Sequence, residues 1–215
     1  MKHLNLPRFL VSAAFILAAS FASFGFAEDD AQPKKLKVLF LCTGNSNRSQ
    51  MAEGWLRHLK GDIIEAYSAG VDPHGINPYA VKVMDEVGVD ISGQKSEHIN
   101  DYVDVPLDYV IAVCGNADDK RPDFKHGTKV IYFPFDDPPK LIQGVEDEEV
   151  RLNAYRRVRD EIKALVETFP ETLEPLAIAT KVAKLRKLTI AQPTGTPNST
   201  CSGDVCSVDE QQPQQ

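Results

Sequence analysis

The sequence is poor in cysteine and has no block of basic residues. Its 215 residues include four cysteines, too few for the disulfide framework of a small secreted protein. Lysine and arginine total 24 against 31 acidic residues, a formal charge of −7, and no basic run is long enough to bind nucleic acid. The five histidines lack metal-ligand spacing, and no internal repeat is present. These absences argue against a nucleic-acid-binding protein, a zinc protein and a repeat protein.

The N-terminus has the pattern of an export signal. Lys2 and Arg8 precede an uncharged stretch, residues 9–27, which ends on Gly25-Phe26-Ala27 before acidic residues. This pattern predicts a secretory signal peptide at residues 1–27, cleaved after Ala27 and followed by a linker at residues 28–35. An uncleaved membrane anchor is the alternative, because about 20 apolar residues can cross a bilayer. In both cases the folded part is expected outside the cytosol, in the periplasm or secreted.

The middle of the chain, residues 36–170, alternates strand and helix patterns. Apolar runs at residues 38–41, 63–67, 109–113 and 130–133 predict buried strands, and helical periodicity follows at residues 77–87 and 146–169. This alternation indicates an α/β domain with an open parallel sheet. Sites in such sheets gather at the carboxyl ends of strands, so Cys42, Cys114 and Asp137 are expected to converge.

The last part of the chain differs in composition from the domain. Residues 171–190 predict a short basic amphipathic helix whose apolar positions include Ile178, Val182 and Leu185. Residues 191–215 are rich in proline, serine, threonine and glutamine, a composition that predicts disorder. This tail carries Cys201 and Cys206.

One cysteine stands at the junction of a strand and a helix, in the run Cys42-Thr43-Gly44-Asn45-Ser46-Asn47-Arg48-Ser49. Such a turn aims backbone N–H groups and the positive end of the helix at one point, which makes it a candidate phosphate-binding loop for an oxyanion. Arg48 could bind two oxygens of a tetrahedral anion, and Ser49 could support the sulfur. Positive surroundings favour the Cys42 thiolate, so the run predicts attack by sulfur on a phosphate-like centre. A nucleotide-binding loop is disfavoured because no Gly-Lys-Ser/Thr follows, whereas a simple buried cysteine remains the alternative.

Several segments in order between Leu36 and Phe169 carry a family resemblance. They are Cys42–Trp55, Tyr67–Gly70, His74–Pro78, Asp90–Ser92, Cys114–Asp118, Phe135–Pro138 and Arg157–Lys163. With these segments the chain resembles the low-molecular-weight protein tyrosine phosphatase superfamily and, within it, the thioredoxin-coupled arsenate reductases. The resemblance implies a three-layer α/β sandwich with a central four-stranded parallel sheet. It also implies Cys42 as nucleophile, residues 43–48 as the oxyanion-binding loop and Asp137 as general acid, with Asp136 as the second choice.

Cys114 separates the functions that the resemblance leaves open. In an arsenate reductase it would be the resolving cysteine, which attacks the sulfur of the Cys42 adduct so that arsenite leaves. A phosphatase would instead hydrolyse a phosphomonoester through a phospho-Cys42 intermediate and needs no second thiol. Pro139 and Lys140 stand where phosphotyrosine enzymes of the family place aromatic residues, which disfavours a phosphotyrosine substrate. A non-catalytic oxyanion or metalloid binder is the third hypothesis.

The chain departs from the reductase pattern at two positions, since Arg121 and Asn47 replace family cysteines. A Cys42–Cys114 disulfide would then be reduced by an external thioredoxin-like or low-molecular-weight thiol, or with the help of Cys201 or Cys206. The tail pair could equally form its own disulfide or trap a metalloid.

The resemblance also implies a possible monovalent cation site, such as one for potassium, at Asn45, Glu53, Ser68 and Glu97. A hydrogen-bond network that braces the loop is the alternative. No tightly bound cofactor is expected.

Overall fold

Four parallel strands form one sheet in the order β2-β1-β3-β4. Their bounds are Leu36–Cys42 for β1, Ile64–Gly70 for β2, Tyr109–Ala112 for β3 and Lys129–Tyr132 for β4. The structure, a computed structural model, describes residues 34–191. The predicted signal peptide and the cysteine-containing tail therefore lie outside the described residues, as does most of the linker.

Six helices surround the sheet within the described part of the chain. They are α1 (Arg48–Lys60), α2 (Pro78–Asp85), α3 (Gly115–Lys120), α4 (Pro138–Leu141), α5 (Glu148–Glu167) and α6 (Leu173–Ala191), and a 3-10 turn covers Ile99–Tyr102. Helices α1 and α5 pack on each other, α3 contacts β1 and β3, and α6 packs on β4. The predicted α/β fold, with a four-stranded parallel sheet flanked by helices, is confirmed.

The position of β1 in the centre of the sheet explains its apolar sequence. Residues 38–41 are completely buried, because β1 has strands on both sides and helices over its faces. Phe40 stacks on Phe169 with ring centroids 6.5 Å apart, which ties the end of the α5 segment to the sheet. In register, Leu41 lies opposite Ala69 of β2 and Ala112 of β3. The carboxyl ends of these three strands are therefore level, and Cys42 lies at the centre of that edge.

Several elements differ from the sequence prediction in their extent, and two of these differences have a clear structural cause. Strand β2 continues to Gly70 rather than ending at Tyr67, because Ser68 to Gly70 pair with the last three residues of β1. Helix α5 begins at Glu148 rather than Glu146, because the Asp147 carboxylate accepts hydrogen bonds from the amides of Glu149 and Val150 and so caps the helix.

Helix α6 presents a different face from the predicted one. Leu173 and Ala177 are buried in the domain, whereas Ile178 and Val182, predicted as the apolar face, are 56% and 42% exposed. The Thr180 hydroxyl accepts a hydrogen bond of 3.1 Å from the amide of Tyr132, which sets the rotation of the helix on β4. None of the helices described between residues 34 and 191 is both long and apolar enough to cross a membrane.

Candidate active site

The loop of residues 43–47, here called the Cys42 loop, joins β1 to α1. Its carbonyls point away from its centre because surrounding groups donate to them. Backbone amides donate to Cys42 O, Thr43 O, Gly44 O and Ser46 O, and the side chains of Gln50 and Ser96 donate to Asn45 O. The two polar groups of a trans peptide point in opposite directions, so outward carbonyls turn the amides inward. The amides of residues 44–47 donate to no other described residue, which leaves them available for an anion.

Asn45 holds the shape of this loop. Its φ of 45° lies in the left-handed region, which Asn tolerates better than most residues. Its completely buried side chain donates from Nδ2 to Ser49 Oγ at 3.0 Å and to Ser68 Oγ at 2.8 Å, and its Oδ1 accepts from the Glu97 amide at 2.7 Å. These three hydrogen bonds offset the cost of the backbone conformation.

Ser49 contacts the sulfur of Cys42. The Ser49 Oγ lies 2.9 Å from Cys42 Sγ, and both residues are buried. Because the Ser49 oxygen already accepts from Asn45 Nδ2, its own proton is free to point at the sulfur. The Ser49 hydroxyl is therefore placed to donate a hydrogen bond to the Cys42 sulfur.

Arg48 and Asp137 meet at the mouth of the loop. Arg48 Nη2 lies 3.1 Å from Asp137 Oδ1, and Nη1 donates to the carbonyl of Phe135 at 3.1 Å. The buried Nε of Arg48 has no hydrogen-bond partner among the described residues. A buried N–H group without an acceptor is costly, so this donor favours an oxyanion oxygen beside the loop.

The two neighbouring aspartates have different surroundings. Asp137 lines a cavity of about 440 Å³ together with Cys42 and Arg48. Asp136 instead pairs with Arg157 at 2.8 Å, and its side chain is 59% exposed. The structure therefore brings Asp137, the predicted acid, to the site and leaves Asp136 outside it.

Cys114 is the second thiol at this loop. It precedes α3 as its N-cap residue, is 7% exposed, and lies with Sγ 3.4 Å from Thr43 Oγ1. Asn116 Nδ2 donates to that same oxygen at 3.0 Å, so the Thr43 proton is free to point at the Cys114 sulfur. Each cysteine thus has a hydroxyl donor that is itself oriented by an asparagine amide. Both thiols are free in the structure.

The four residues of the predicted cation site share one hydrogen-bond network. Ser68 Oγ donates to Glu53 at 2.5 Å and accepts from Asn45, while Glu53 also pairs with Arg57 and Glu97 accepts from Tyr102. Burial raises the pKa of Glu53, and the hydrogen bond from Ser68 partly opposes that shift.

The oxygen donors of this network are of the kind that a hard cation prefers, but each already has a partner in the protein. The network therefore braces the Cys42 loop by itself, and the potassium ion stays a prediction. No group of three or more His, Cys, Asp or Glu residues in the described part of the chain is arranged to hold a metal ion.

Two residues line the cavity that the sequence did not identify as part of the site, His74 and Asn116. The His74 ring fills the space beside Gly44, where a Cβ would lie only 2.0 Å from its Nε2. His74 and Asn116 both follow the carboxyl end of a strand, and that position is the signal that could have identified them.

Comparisons with known proteins agree with this geometry. A sequence model of the low molecular weight phosphotyrosine protein phosphatase family matches residues 37–176. The arsenate reductase of Halalkalibacterium halodurans is 46% identical over 138 residues, which cover 64% of this chain and 97% of the relative. The arsenate reductase of Bacillus subtilis is 47% identical over 135 residues, 63% of this chain and 95% of the relative.

Among solved structures, an arsenate reductase in the oxidized state is similar with a TM-score of 0.51 and 30% identity, covering 67% of this chain and 98% of the other. The family match includes the sheet, the Cys42 loop and α5, and it ends four residues into α6.

Proposed function

Because this chain belongs to the low molecular weight phosphotyrosine protein phosphatase family, we propose that it is a thiol-dependent arsenate reductase. The observation that carries the proposal is the second thiol, since Cys114 lies 3.4 Å from the hydroxyl of the residue next to Cys42. A phosphatase has no use for a buried cysteine at this place. The similarity to arsenate reductases over nearly their whole length supports the same choice.

The first step uses the Cys42 loop and Arg48. Inward amides and the free Arg48 Nε bind the arsenate oxygens, and the Cys42 thiolate, supported by Ser49, attacks arsenic. A sulfur–arsenic bond forms and one arsenate oxygen leaves as water. Asp137, beside Arg48, is placed to supply the proton that this oxygen needs.

The second step transfers two electrons. The Cys114 thiolate attacks Cys42 Sγ, the sulfur–arsenic bond breaks, and its electron pair stays on arsenic, so arsenate becomes arsenite. A Cys42–Cys114 disulfide remains. The Thr43 hydroxyl, 3.4 Å from Cys114 Sγ, is placed to hold the attacking sulfur in position. Each turnover therefore consumes two thiols, and an external thiol, thioredoxin-like or of low molecular weight, restores them.

A phosphatase is the second candidate, because the ion pair between Arg48 and Asp137 would serve phosphoester hydrolysis equally well. Arsenate and phosphate share shape and charge, so the loop itself does not separate them. Pro139 and Lys140 line the cavity, and its lining among the described residues includes no Phe, Tyr or Trp that could stack on phosphotyrosine. Small phosphomonoesters are therefore the expected phosphatase substrates.

The deciding experiment assays residues 28–215 for arsenite release with a thiol reductant and for hydrolysis of phenyl phosphate. Cys42→Ser should abolish both activities, whereas Cys114→Ser should abolish arsenite release and spare hydrolysis. Arsenite release that survives Cys114→Ser would show that the resolving role is wrong. Repeated hydrolysis of phenyl phosphate without arsenite release would favour the phosphatase, and tight arsenate binding without either reaction would favour a binder.

The N-terminal pattern supports export of the folded domain, and we propose that it acts outside the cytosol. The thiol donor would then belong to an extracytoplasmic system. N-terminal sequencing of the protein recovered from the producing cells tests this directly. A mature chain beginning at Glu28 is expected, and an intact Met1 in the cytosolic fraction would contradict export.

A further inference from the structure

Helix α6 extends beyond the family match and borders a groove on α3. The groove encloses about 660 Å³. It is lined from α6 by Ala183, Lys184 and Lys187, and from the end of α3 and the residue after it by Asp118, Asp119 and Arg121. Leu173 and Ala177 anchor the start of α6 in the core. Residues 181–188 of the helix are exposed, and the helix runs on to residue 191, where the described chain ends.

Tyr132 connects the groove with the residue after Cys114. Tyr132 lines the groove, and its amide donates to Thr180 Oγ1 of α6 at 3.1 Å. Its hydroxyl oxygen lies 3.4 Å from the place of a Cβ on Gly115, the first residue of α3. A segment that lies in the groove and continues past Tyr132 would approach the N-terminal end of α3, where Cys114 is located.

The charge of the groove complements that of the chain that follows α6. Lys184 and Lys187 line the groove and form no ion pair with any residue in the part of the chain that the structure describes. Arg121 pairs with Asp118 at 2.9 Å, and Asp119 is the second acidic residue of the lining, so three basic and two acidic side chains leave the groove with one net positive charge. Residues 192–215 contain three acidic residues and no lysine or arginine. This segment is the occupant that charge complementarity favours.

The segment that follows α6 is long enough to run back along the helix to Cys114. Helix α6 carries the chain roughly 16 Å from Thr180 to Ala191, at about 1.5 Å per residue. An extended segment from residue 192 to Cys201 spans up to roughly 33 Å. Cys201 can therefore come back along the groove to Cys114 and leave Cys206 within reach of both.

We infer that residues 192–215 dock in the groove between α3 and α6 and that their two cysteines reduce the Cys42–Cys114 disulfide, an inference that rests on the proposed reductase function. The Cys201 thiolate attacks Cys114 Sγ, the Cys42–Cys114 bond breaks, and Cys42 leaves as a thiolate. Cys206 then attacks Cys201 Sγ and releases Cys114 as a thiolate. Two electrons pass from the tail to the active-site pair, and an external thiol reduces the resulting Cys201–Cys206 disulfide.

Burial explains why such a relay would be useful. Cys42 and Cys114 are 3% and 7% exposed, so an external reductant has poor access to a disulfide between them. A dithiol on a long tail can enter the groove and afterwards present its own disulfide to a large or a small reductant.

Trapping tests the exchange in the full mature chain. The Cys42–Cys114 disulfide is formed with diamide in a Cys206→Ser variant, and non-reduced digests are analysed by mass spectrometry. A Cys114–Cys201 disulfide is expected, and its absence would overturn the relay. Because diamide replaces arsenate, this result is independent of the proposed function, which fails separately if the wild-type protein releases no arsenite.

Turnover and charge reversal test the docking. With Cys201→Ser and Cys206→Ser together, a first equivalent of arsenite should still form, while thiol-driven turnover should fall at least tenfold. Lys184→Glu should slow formation of the Cys114–Cys201 disulfide severalfold, and Arg186→Glu, which reverses a charge on α6 outside the groove lining, should change it less than twofold. The inference would be contradicted by unchanged turnover in the double variant or by equal effects of the two charge reversals. It would also be contradicted if the tail thiols bound arsenite without exchanging with the Cys42–Cys114 disulfide.

Discussion

Replacing Ser49 with alanine should slow the chemistry of Cys42 without removing the nucleophile. The lost contact is a hydrogen bond of 2.9 Å to a sulfur that reacts as a thiolate. Hydrogen bonds to charged groups contribute about 1.5–3 kcal/mol, which corresponds to a factor of about ten to a hundred in the equilibrium between thiolate and thiol. A thiolate of higher pKa is also a stronger nucleophile, with a Brønsted coefficient of about 0.4–0.5. This gain in nucleophilicity offsets about half of the loss in rate on a logarithmic scale. The net expectation is a reaction about three- to tenfold slower.

The assay is alkylation of Cys42 by iodoacetamide at neutral pH, in a background where the other three cysteines are serine. Ser68→Ala is the matched control, because it removes the other hydroxyl that accepts from Asn45 Nδ2 and leaves the contact to Cys42 intact. It should slow alkylation much less than Ser49→Ala. A Ser49→Ala rate within twofold of the background protein would refute the role of this hydroxyl, and an equal loss in both variants would assign the effect to loop bracing.

Three other predictions follow from the site. Asp137→Asn should lower the turnover of phenyl phosphate by about 10²-fold or more, as expected for loss of a general acid, while Asp136→Asn should change it less than twofold; reversed effects would identify the wrong aspartate. Glu53 has a raised pKa, so its contribution to stability is complete below its usual value of 4.5 and is lost as pH rises through the folded-state pKa. In urea unfolding, the free energy of unfolding of Glu53→Gln should therefore rise relative to that of the wild-type protein as pH increases above 4.5. Parallel dependence of the two free energies on pH would disprove this linkage. Gly70→Ala places a Cβ 2.7 Å from the backbone nitrogen of Asn45 and 2.8 Å from the backbone oxygen of Thr43. It should therefore destabilise the fold by about 1–3 kcal/mol, measured as a lower Tm. An unchanged Tm would show that the Cys42 loop can move to accept the methyl group without loss of stability.

The sheet and the nucleophile were predictable because their signals are local. Continuous apolar runs identify buried strands, and the residues from Cys42 to Ser49 contain the turn and the start of the helix within eight positions. Asn77 before Pro78 is a helix-start signal of the same local kind, and its side chain accepts a hydrogen bond from the amide of Tyr79.

Other features depend on tertiary contacts that no local pattern contains. The sequence of α6 suggests burial of Ile178 and Val182, yet the hydrogen bond between Thr180 and Tyr132 turns a different face towards β4. His74 belongs to the site because Gly44 leaves room for its ring, a fact about two segments that are distant in sequence. The six residues of α3 are too few to show a helical period.

The geometry also explains how one loop can serve two chemistries. The Cys42 loop binds through backbone amides and Arg48, which recognise the shape and charge of a tetrahedral anion and not its central atom. Selection between phosphate and arsenate must therefore come after binding, from what the adduct on Cys42 meets next. Arsenic can accept the electron pair of a broken sulfur bond, whereas phosphorus in a phospho-cysteine awaits water. In the proposed mechanism, Cys114, which is buried and contacts Thr43 beside Asn116, is the group that makes the first outcome fast. On that mechanism, the residue that selects the reaction lies not on the strand of the nucleophile but at the carboxyl end of the neighbouring strand β3.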